Sequence, residues 1–211
     1  MLYLNNENEK IPISAVVFDL GNVLIDYDPA RFMFELGIPQ ELIPRLVEII
    51  DKRPEWAEYD RGVLSGDDII ALAVRDEPSL RREITYYVKH RSECFSALQK
   101  NVKFLYRAKE AGARIYLLSN CPEDAYDSFL NQFIFLHDLD GAISSGQHKI
   151  NKPDPKIYEL LFRTYPEIDP SHTLYIDDVA RNCEGGRKAG LIAFNLPADG
   201  TIEDCLEFFT E

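Results

Sequence analysis

Cysteine pairs, long apolar runs and an excess of basic charge are all missing from this 211-residue sequence. The four cysteines, Cys94, Cys121, Cys183 and Cys205, are widely spaced and form no Cys-x-x-Cys pair. That argues against a zinc framework and against a disulfide scaffold, and the expectation is a reduced, cytoplasmic protein. No apolar run approaches the roughly 18 residues of a membrane span. The polar stretch Met1 to Lys10 lacks the apolar segment and cleavage site of a signal peptide. Lys and Arg number 23 against 36 Asp and Glu, a formal net charge of −13. Such a balance argues against sequence-independent binding of nucleic acid and against an anionic membrane surface as partner. His90, His137, His148 and His172 show no metal-ligand spacing, and neither internal repeats nor low-complexity tracts occur.

What is present is enough to bury a real core: 45% apolar residues and 28% charged ones, in a length that holds one large domain or a domain with a modest insertion. Ala15-Val-Val-Phe18 is an unbroken apolar run closed by Asp19 and Gly21-Asn22. Such a run, bounded by turn residues, predicts a strand buried on both faces of a parallel sheet. Further strands are predicted at 114–118, 141–145, 173–176 and 191–196, with helices between them over 98–108, after Cys121-Pro122, over 156–164 and over 180–189. Gly112 and Gly190 close two of these helices. From Ala30 to about Ala97 the pattern is helical instead, broken at Gly37-Ile-Pro39, Arg53-Pro54, Gly62 and Glu77-Pro78. Ser65-Gly-Asp-Asp68 reads as a capping box opening one of those helices. Phe32, Phe34, Tyr86 and Tyr87 are assigned to the core. Alternating strands and helices predict an α/β fold, a Rossmann-like parallel sheet with helices on both faces, into which a compact helical segment is inserted.

Ligands in open α/β sheets bind outside the carboxyl ends of the strands. Those ends carry Asp19, then Ser119 and Asn120, then Asp177 and Asp178, while Lys152 opens a later helix. Three carboxylates converging on one edge repel one another unless a cation joins them. An all-oxygen set without Cys or His suits Mg²⁺. A hydroxyl, an amide and a lysine on the other side suit a phosphate group.

FDLGNVL with Asp19, LLSN with Ser119, NKPDPKIY with Lys152 and YIDDVARN with Asp177 and Asp178 resemble motifs I to IV of the haloacid dehalogenase superfamily. The resemblance spans nearly the whole chain after the first dozen residues. The segment after motif I is similar to the C1-type helical cap, which implies a core of residues 1–25 and 97–211 and a cap of 26–96. The DLGN form of motif I and the KPDP motif resemble the branch containing α-glucose-1-phosphate phosphatases and the N-terminal domains of epoxide hydrolases. The resemblance implies Asp19 as nucleophile, forming an aspartyl-phosphate. It implies Mg²⁺ held by Asp19, the Gly21 carbonyl and Asp178 with Asp177 beside it, and a phosphate gripped by Ser119, Asn120 and Lys152. The expected substrate is a small phosphorylated metabolite such as a sugar 1-phosphate.

One position departs from the family pattern. The general acid and base two residues after the nucleophile is replaced by Gly21. Asp26 and Asp28 offer themselves as substitutes, and a good leaving group lessens the need for one. The alternatives to a phosphohydrolase are a metal-independent 2-haloacid dehalogenase, which needs no such acid, and a non-catalytic protein that binds a phosphometabolite. Trp56, Tyr59 and Arg61 are the candidate specificity residues of the inserted segment.

Overall fold

The computed structural model describes every residue except Glu7, Asn8, Asp199, Leu206, Glu207 and Glu211. The chain opens with an antiparallel hairpin of β1 (Leu2–Asn6) and β2 (Glu9–Ile13). Its register sets Leu2 against Ile13 and Leu4 against Ile11. Leu2 and Ile13 are buried, and Leu4 and Ile11 pack against the same core. The hairpin was not anticipated from the polar first ten residues, although its apolar residues alternate with the period of a strand.

The main sheet follows. It contains β3 (Ala15–Phe18), β4 (Arg114–Ser119), β5 (Gly141–Ser144), β6 (Thr173–Asp177) and β7 (Ile192–Asn195), in the order β5-β4-β3-β6-β7 with every pairing parallel. A short β8 (Phe208–Thr210) joins β1 in a separate three-stranded sheet. The five parallel strands agree with the predicted α/β sheet to within a residue or two at each end.

Strand geometry explains why the runs are apolar without alternation. Val16 and Phe18 of β3, Ile115 and Leu117 of β4, and Leu174 and Ile176 of β6 enter one apolar cluster. Their neighbours Val17, Tyr116, Leu118 and Tyr175 enter a second cluster on the opposite face. Successive side chains point to opposite sides, so a strand covered on both faces must be apolar throughout. On the first face lies α6 (Gln99–Glu110) with Val102, Phe104 and Leu105, and on the second α9 (Pro155–Thr164) with Ile157, Tyr158 and Leu161.

Between β3 and β4 run α1 (Pro29–Glu35), α2 (Ile43–Ile49), α3 (Trp56–Asp60), α4 (Gly66–Asp76) and α5 (Arg81–His90). Ser65 caps α4 with the anticipated box: its side chain accepts from the Asp68 amide, and the Asp68 side chain accepts from the Ser65 amide. The segment leaves and returns at adjacent points. Asp26 N donates to the Ser96 carbonyl at 2.9 Å and Leu98 N to the Leu24 carbonyl at 2.8 Å. Phe32 and Tyr87 are buried as expected, but Phe34 and Tyr86 are exposed. Positions one or two apart on a helix do not share a face, so each buried aromatic turns its near neighbour to solvent. Among the described residues no helix is long and apolar enough to cross a membrane. The remaining helices are α7 (Glu123–Gln132), α8 (Ser145–His148), α10 (Ala180–Lys188) and α11 (Ile202–Cys205).

Candidate active site

The central position of β3 puts its carboxyl end in the middle of the sheet edge, and Asp19 is the first residue beyond it. Its amide continues the ladder by donating to the Ile176 carbonyl at 2.8 Å, and its Oδ1 accepts from the Leu20 amide at 2.7 Å. No hydrogen bond among the described residues engages its Oδ2. The neighbouring strands end at the same level. Ser119 closes β4 and is buried, with no partner among the described residues for its hydroxyl. Asp177 closes β6 and Asp178 follows it.

Lys152 ties these ends together. Its ammonium lies 2.8 Å from Asp19 Oδ1 and 2.6 Å from Asp177 Oδ2, and donates to the Leu118 carbonyl at 2.7 Å. An ammonium has three N–H donors, so all of them are used within the protein. The Lys152 backbone is fixed in turn by Asn120, whose side chain donates to the Lys152 carbonyl at 3.1 Å and accepts from its amide at 2.7 Å. Asn120 therefore acts on the lysine through its side chain.

Asp177 is fully buried and accepts from Lys152, from the Tyr175 hydroxyl at 2.5 Å, from the Val179 amide at 2.8 Å and from Asn182 at 3.1 Å. Burial pushes its carboxyl up, but the charge and hydrogen bond of Lys152 and the other donors more than reverse this and hold it below the ordinary value. Asp19 has fewer donors. Burial raises it to about 6, Lys152 pulls it back only in part, and Asp177 adds repulsion. One lysine charge is shared by two carboxylates, and the better-bonded of the two takes more of it.

A divalent cation fits this edge. Asp19, Asp177 and Asp178 each offer an oxygen within 4.8 Å of the others. Asp178 is raised by burial and by Asp177, and its Oδ2 accepts from Asn22 Nδ2 at 3.1 Å. Asn22 is held in the left-handed region at φ 54° while its Oδ1 accepts from the Tyr27 amide. The Gly21 carbonyl accepts no hydrogen bond among the described residues. Asp19, Asp178 and that carbonyl thus have oxygens to spare, whereas both oxygens of Asp177 are bonded.

Above the strand ends lies a cavity of about 490 Å³, lined below by Asp19, Gly21, Ser119, Lys152 and Asp178 and above by Asp51, Trp56, Asp60 and Arg91. The upper groups were not singled out from sequence. The Arg91 guanidinium is buried, stacks 4.5 Å from the centroid of Trp56, and donates to the Tyr59 hydroxyl at 3.2 Å. Of the three expected specificity residues only Trp56 lines the cavity. Tyr59 donates to Asp124 at 3.1 Å, and Arg61 pairs with Glu58. The substitutes offered for the missing acid are engaged elsewhere. Asp26 accepts from Arg31 at 2.5 Å and from Ser96 N at 2.6 Å, while Asp28 caps α1.

The α3 segment is latched to the loop that carries Lys152. Ser145 Oγ donates to the Asp60 carbonyl at 2.5 Å, Lys149 Nζ to the Gly62 carbonyl at 2.6 Å and Asn151 Nδ2 to the Ala57 carbonyl at 2.7 Å. Gly62 has φ +67°, and a Cβ there meets the Gly146 carbonyl at 2.6 Å. Only glycine lets the two backbones approach so closely.

Residues 13–190 match the family model of haloacid dehalogenase-like hydrolases. A curated relative, Phosphatase MT3486 of Mycobacterium tuberculosis, is 28% identical over 207 residues and covers 91% of each chain. Among solved structures, the HAD family enzyme bt-2542 of Bacteroides thetaiotaomicron, in complex with magnesium and inorganic phosphate, superposes with a TM-score of 0.74 at 18% identity, covering 92% of this chain and 98% of that one. The L-2-haloacid dehalogenase of Xanthobacter autotrophicus superposes with a TM-score of 0.65 at 16% identity, covering 87% and 77%.

Proposed function

We propose that this chain, which belongs to the haloacid dehalogenase-like hydrolases, is a Mg²⁺-dependent phosphohydrolase acting on a small phosphorylated metabolite, a sugar phosphate such as a sugar 1-phosphate. The observation that carries the reading is the state of Asp19. One oxygen is held by Lys152 and the Leu20 amide, and the other has no partner and borders the cavity. That is the arrangement of an oriented nucleophile. Asp19 Oδ2 attacks phosphorus, the bond to the leaving oxygen breaks, and an aspartyl-phosphate forms. Water then attacks that phosphorus, releasing phosphate and restoring the carboxylate.

Lys152 holds Asp19 ionised and in place and keeps its positive charge at the cavity floor. The unpartnered Ser119 hydroxyl donates to a phosphoryl oxygen. Asp19, Asp178 and the Gly21 carbonyl hold Mg²⁺, with Asp177 fixing Lys152 behind them. When bound, the ion supplies neutralisation of the charge gathering on the phosphoryl oxygens. Residues 26–96 act as a cap over a core of 1–25 and 97–211, and Trp56 with its neighbours contacts the leaving group. The relative named a phosphatase supports this reading, and the free thiols of Cys94, Cys121 and Cys183 suit a cytoplasmic setting.

The test is phosphate release from glucose 1-phosphate, glucose 6-phosphate, glycerol 3-phosphate and 4-nitrophenyl phosphate, with and without Mg²⁺, for the wild type and Asp19→Asn. Mg²⁺-dependent release abolished by the substitution is expected. Halide release from a 2-haloacid without metal would turn the assignment to a dehalogenase. Binding of phosphate esters without turnover would make the protein a sensor.

A further inference from the structure

The phosphohydrolase reading leaves one step without an agent, because position 21 has no side chain to protonate the leaving oxygen. The space for such a group is open: a Cβ built on Gly21 meets only the Tyr27 Cβ, at 4.0 Å. The described histidines are absent from the cavity lining, and Asp26 and Asp28 are bonded elsewhere. Two carboxyls of the helical segment remain, Asp51 and Asp60. Asp51 Oδ1 accepts from the Tyr27 and Tyr87 hydroxyls at 3.2 and 2.9 Å, and its Oδ2 is sealed in the protein without a partner. Asp60 differs. It lines the same cavity as Asp19 and Gly21, and no hydrogen bond among the described residues engages its carboxyl.

The backbone of Asp60 is nevertheless fixed. Its carbonyl accepts from Ser145, and Ala57 and Gly62 on either side are held by Asn151 and Lys149, in the loop that ends at Lys152. A carboxyl without internal partners, on a backbone anchored to the catalytic loop, is placed to serve a group that enters the cavity. Resting on the phosphohydrolase reading, we propose that Asp60 is the general acid and base of this enzyme, supplied from the helical segment in place of the side chain absent at Gly21.

The proton balance is as follows. As Asp19 Oδ2 bonds to phosphorus and the ester P–O bond breaks, the leaving oxygen takes the proton of Asp60 and departs as an alcohol. The Asp60 carboxylate then takes a proton from the water that attacks the aspartyl-phosphate. The P–O bond to Asp19 breaks, phosphate leaves, and Asp60 is again an acid. The charges facing Asp60 agree with this role. Burial raises its carboxyl to about 7, Arg91 pulls it down in part, and Asp19 and Asp51 push it up. An acid with that value is protonated below neutrality, close to the working optimum for proton transfer near pH 7.

The experiment compares wild type, Asp60→Asn and the double variant Asp60→Asn/Gly21→Asp, in Mg²⁺, on the best-turned-over alkyl ester of the panel above and on 4-nitrophenyl phosphate, whose leaving group departs as a stable anion. Expected for Asp60→Asn is a fall in alkyl-ester kcat of roughly 10²–10⁴-fold, the usual worth of general acid–base catalysis, with aryl-ester kcat reduced less than about fivefold on the same basis. The fall in alkyl-ester kcat as pH rises through about 7 should vanish in the single variant, and the double variant should regain at least about tenfold. Retained aryl turnover shows that the variant is folded. Equal losses on both esters, no loss on either, an unchanged alkaline limb, or a double variant no better than the single one overturns the proposal. A wild type that releases no phosphate from any ester overturns the phosphohydrolase reading itself, and the acid role with it.

Discussion

The floor and the roof of one cavity are built on opposite rules. On the floor each charged group has partners of its own. Lys152 has its three acceptors, Asp177 is ringed by donors, and Asp178 is held by Asn22. On the roof the carboxyl of Asp60 and one oxygen of Asp51 have none, and the buried Arg91 has one hydrogen bond, to a tyrosine, and the faces of Trp56 and Tyr59. Partners already in place fix geometry and charge before a substrate arrives, which is what electrostatic preorganisation requires. Groups left without partners at low dielectric carry a standing cost, and a ligand that satisfies them recovers it. The difference separates the part of the site that performs a reaction common to many substrates from the part that selects one.

The sharpest way to break this division is at the floor. Asp19→Asn should lower phosphate release by at least about a thousandfold on every ester tested, as loss of a nucleophile does. A loss confined to some esters would mean that Asp19 contributes to selection and not to the common step. Next in size is Lys152→Met. It leaves Asp19 and Asp177 as buried carboxylates without their cation, and breaking such a pair from one side costs about 3–5 kcal/mol. Urea unfolding should show that loss together with the loss of turnover. A variant as stable as the wild type would mean that the donors around Asp177 suffice alone.

How much of this was legible beforehand follows the same division. The five parallel strands announce themselves as apolar runs, and Asp19, Ser119, Asn120, Lys152, Asp177 and Asp178 stand at strand ends or in short motifs beside them. Local sequence therefore carries them to one edge. The role of Asn120 as a brace of the Lys152 backbone was not readable, since it depends on two loops meeting. Asp51, Asp60 and Arg91 gave less still. Periodicity says which face of a helix is apolar, but the facing of a polar residue depends on how short helices fold back over the sheet. Asp60 lay one residue from each of Tyr59 and Arg61, both singled out from sequence, and only the latch by Ser145 and Lys149 shows why Asp60 lines the cavity instead. The N-terminal hairpin escaped because it is a short polar pair whose outer partner, β8, lies at the other end of the chain.

The latch is where floor and roof are coupled, and Gly62→Ala tests it. The added Cβ falls 2.6 Å from the Gly146 carbonyl and 2.6 Å from Lys149 Nζ, in a backbone conformation that alanine resists. Strain of this kind costs about 1–3 kcal/mol. Lys149 can swing away, but the Gly146 backbone is itself wedged against Cys121 and Glu123. The expected result is displacement of α3, with KM for alkyl esters raised and alkyl-ester kcat lowered, because Asp60 rides on that helix. Turnover of 4-nitrophenyl phosphate, which draws mainly on the floor, should fall far less. Equal losses on both esters would mean that the latch also sets the floor.

The smallest effect should come from a change confined to the roof and remote from its charges. Ser65 caps α4 through the Asp68 amide, and its own amide donates to the Asp68 side chain. Ser65→Ala removes half of that exchange, at a cost of about 1 kcal/mol. The Asp68 carboxylate, held below its ordinary value by the Ser65 hydroxyl and amide, keeps the amide bond and loses the hydroxyl. Unfolding should therefore shift by that amount while kcat on both esters stays within about twofold, since a stability change this small leaves the folded fraction near unity. A larger drop in turnover at unchanged folded fraction would mean that α4 helps to place α3, and that the latch from the core is not by itself what positions Asp60.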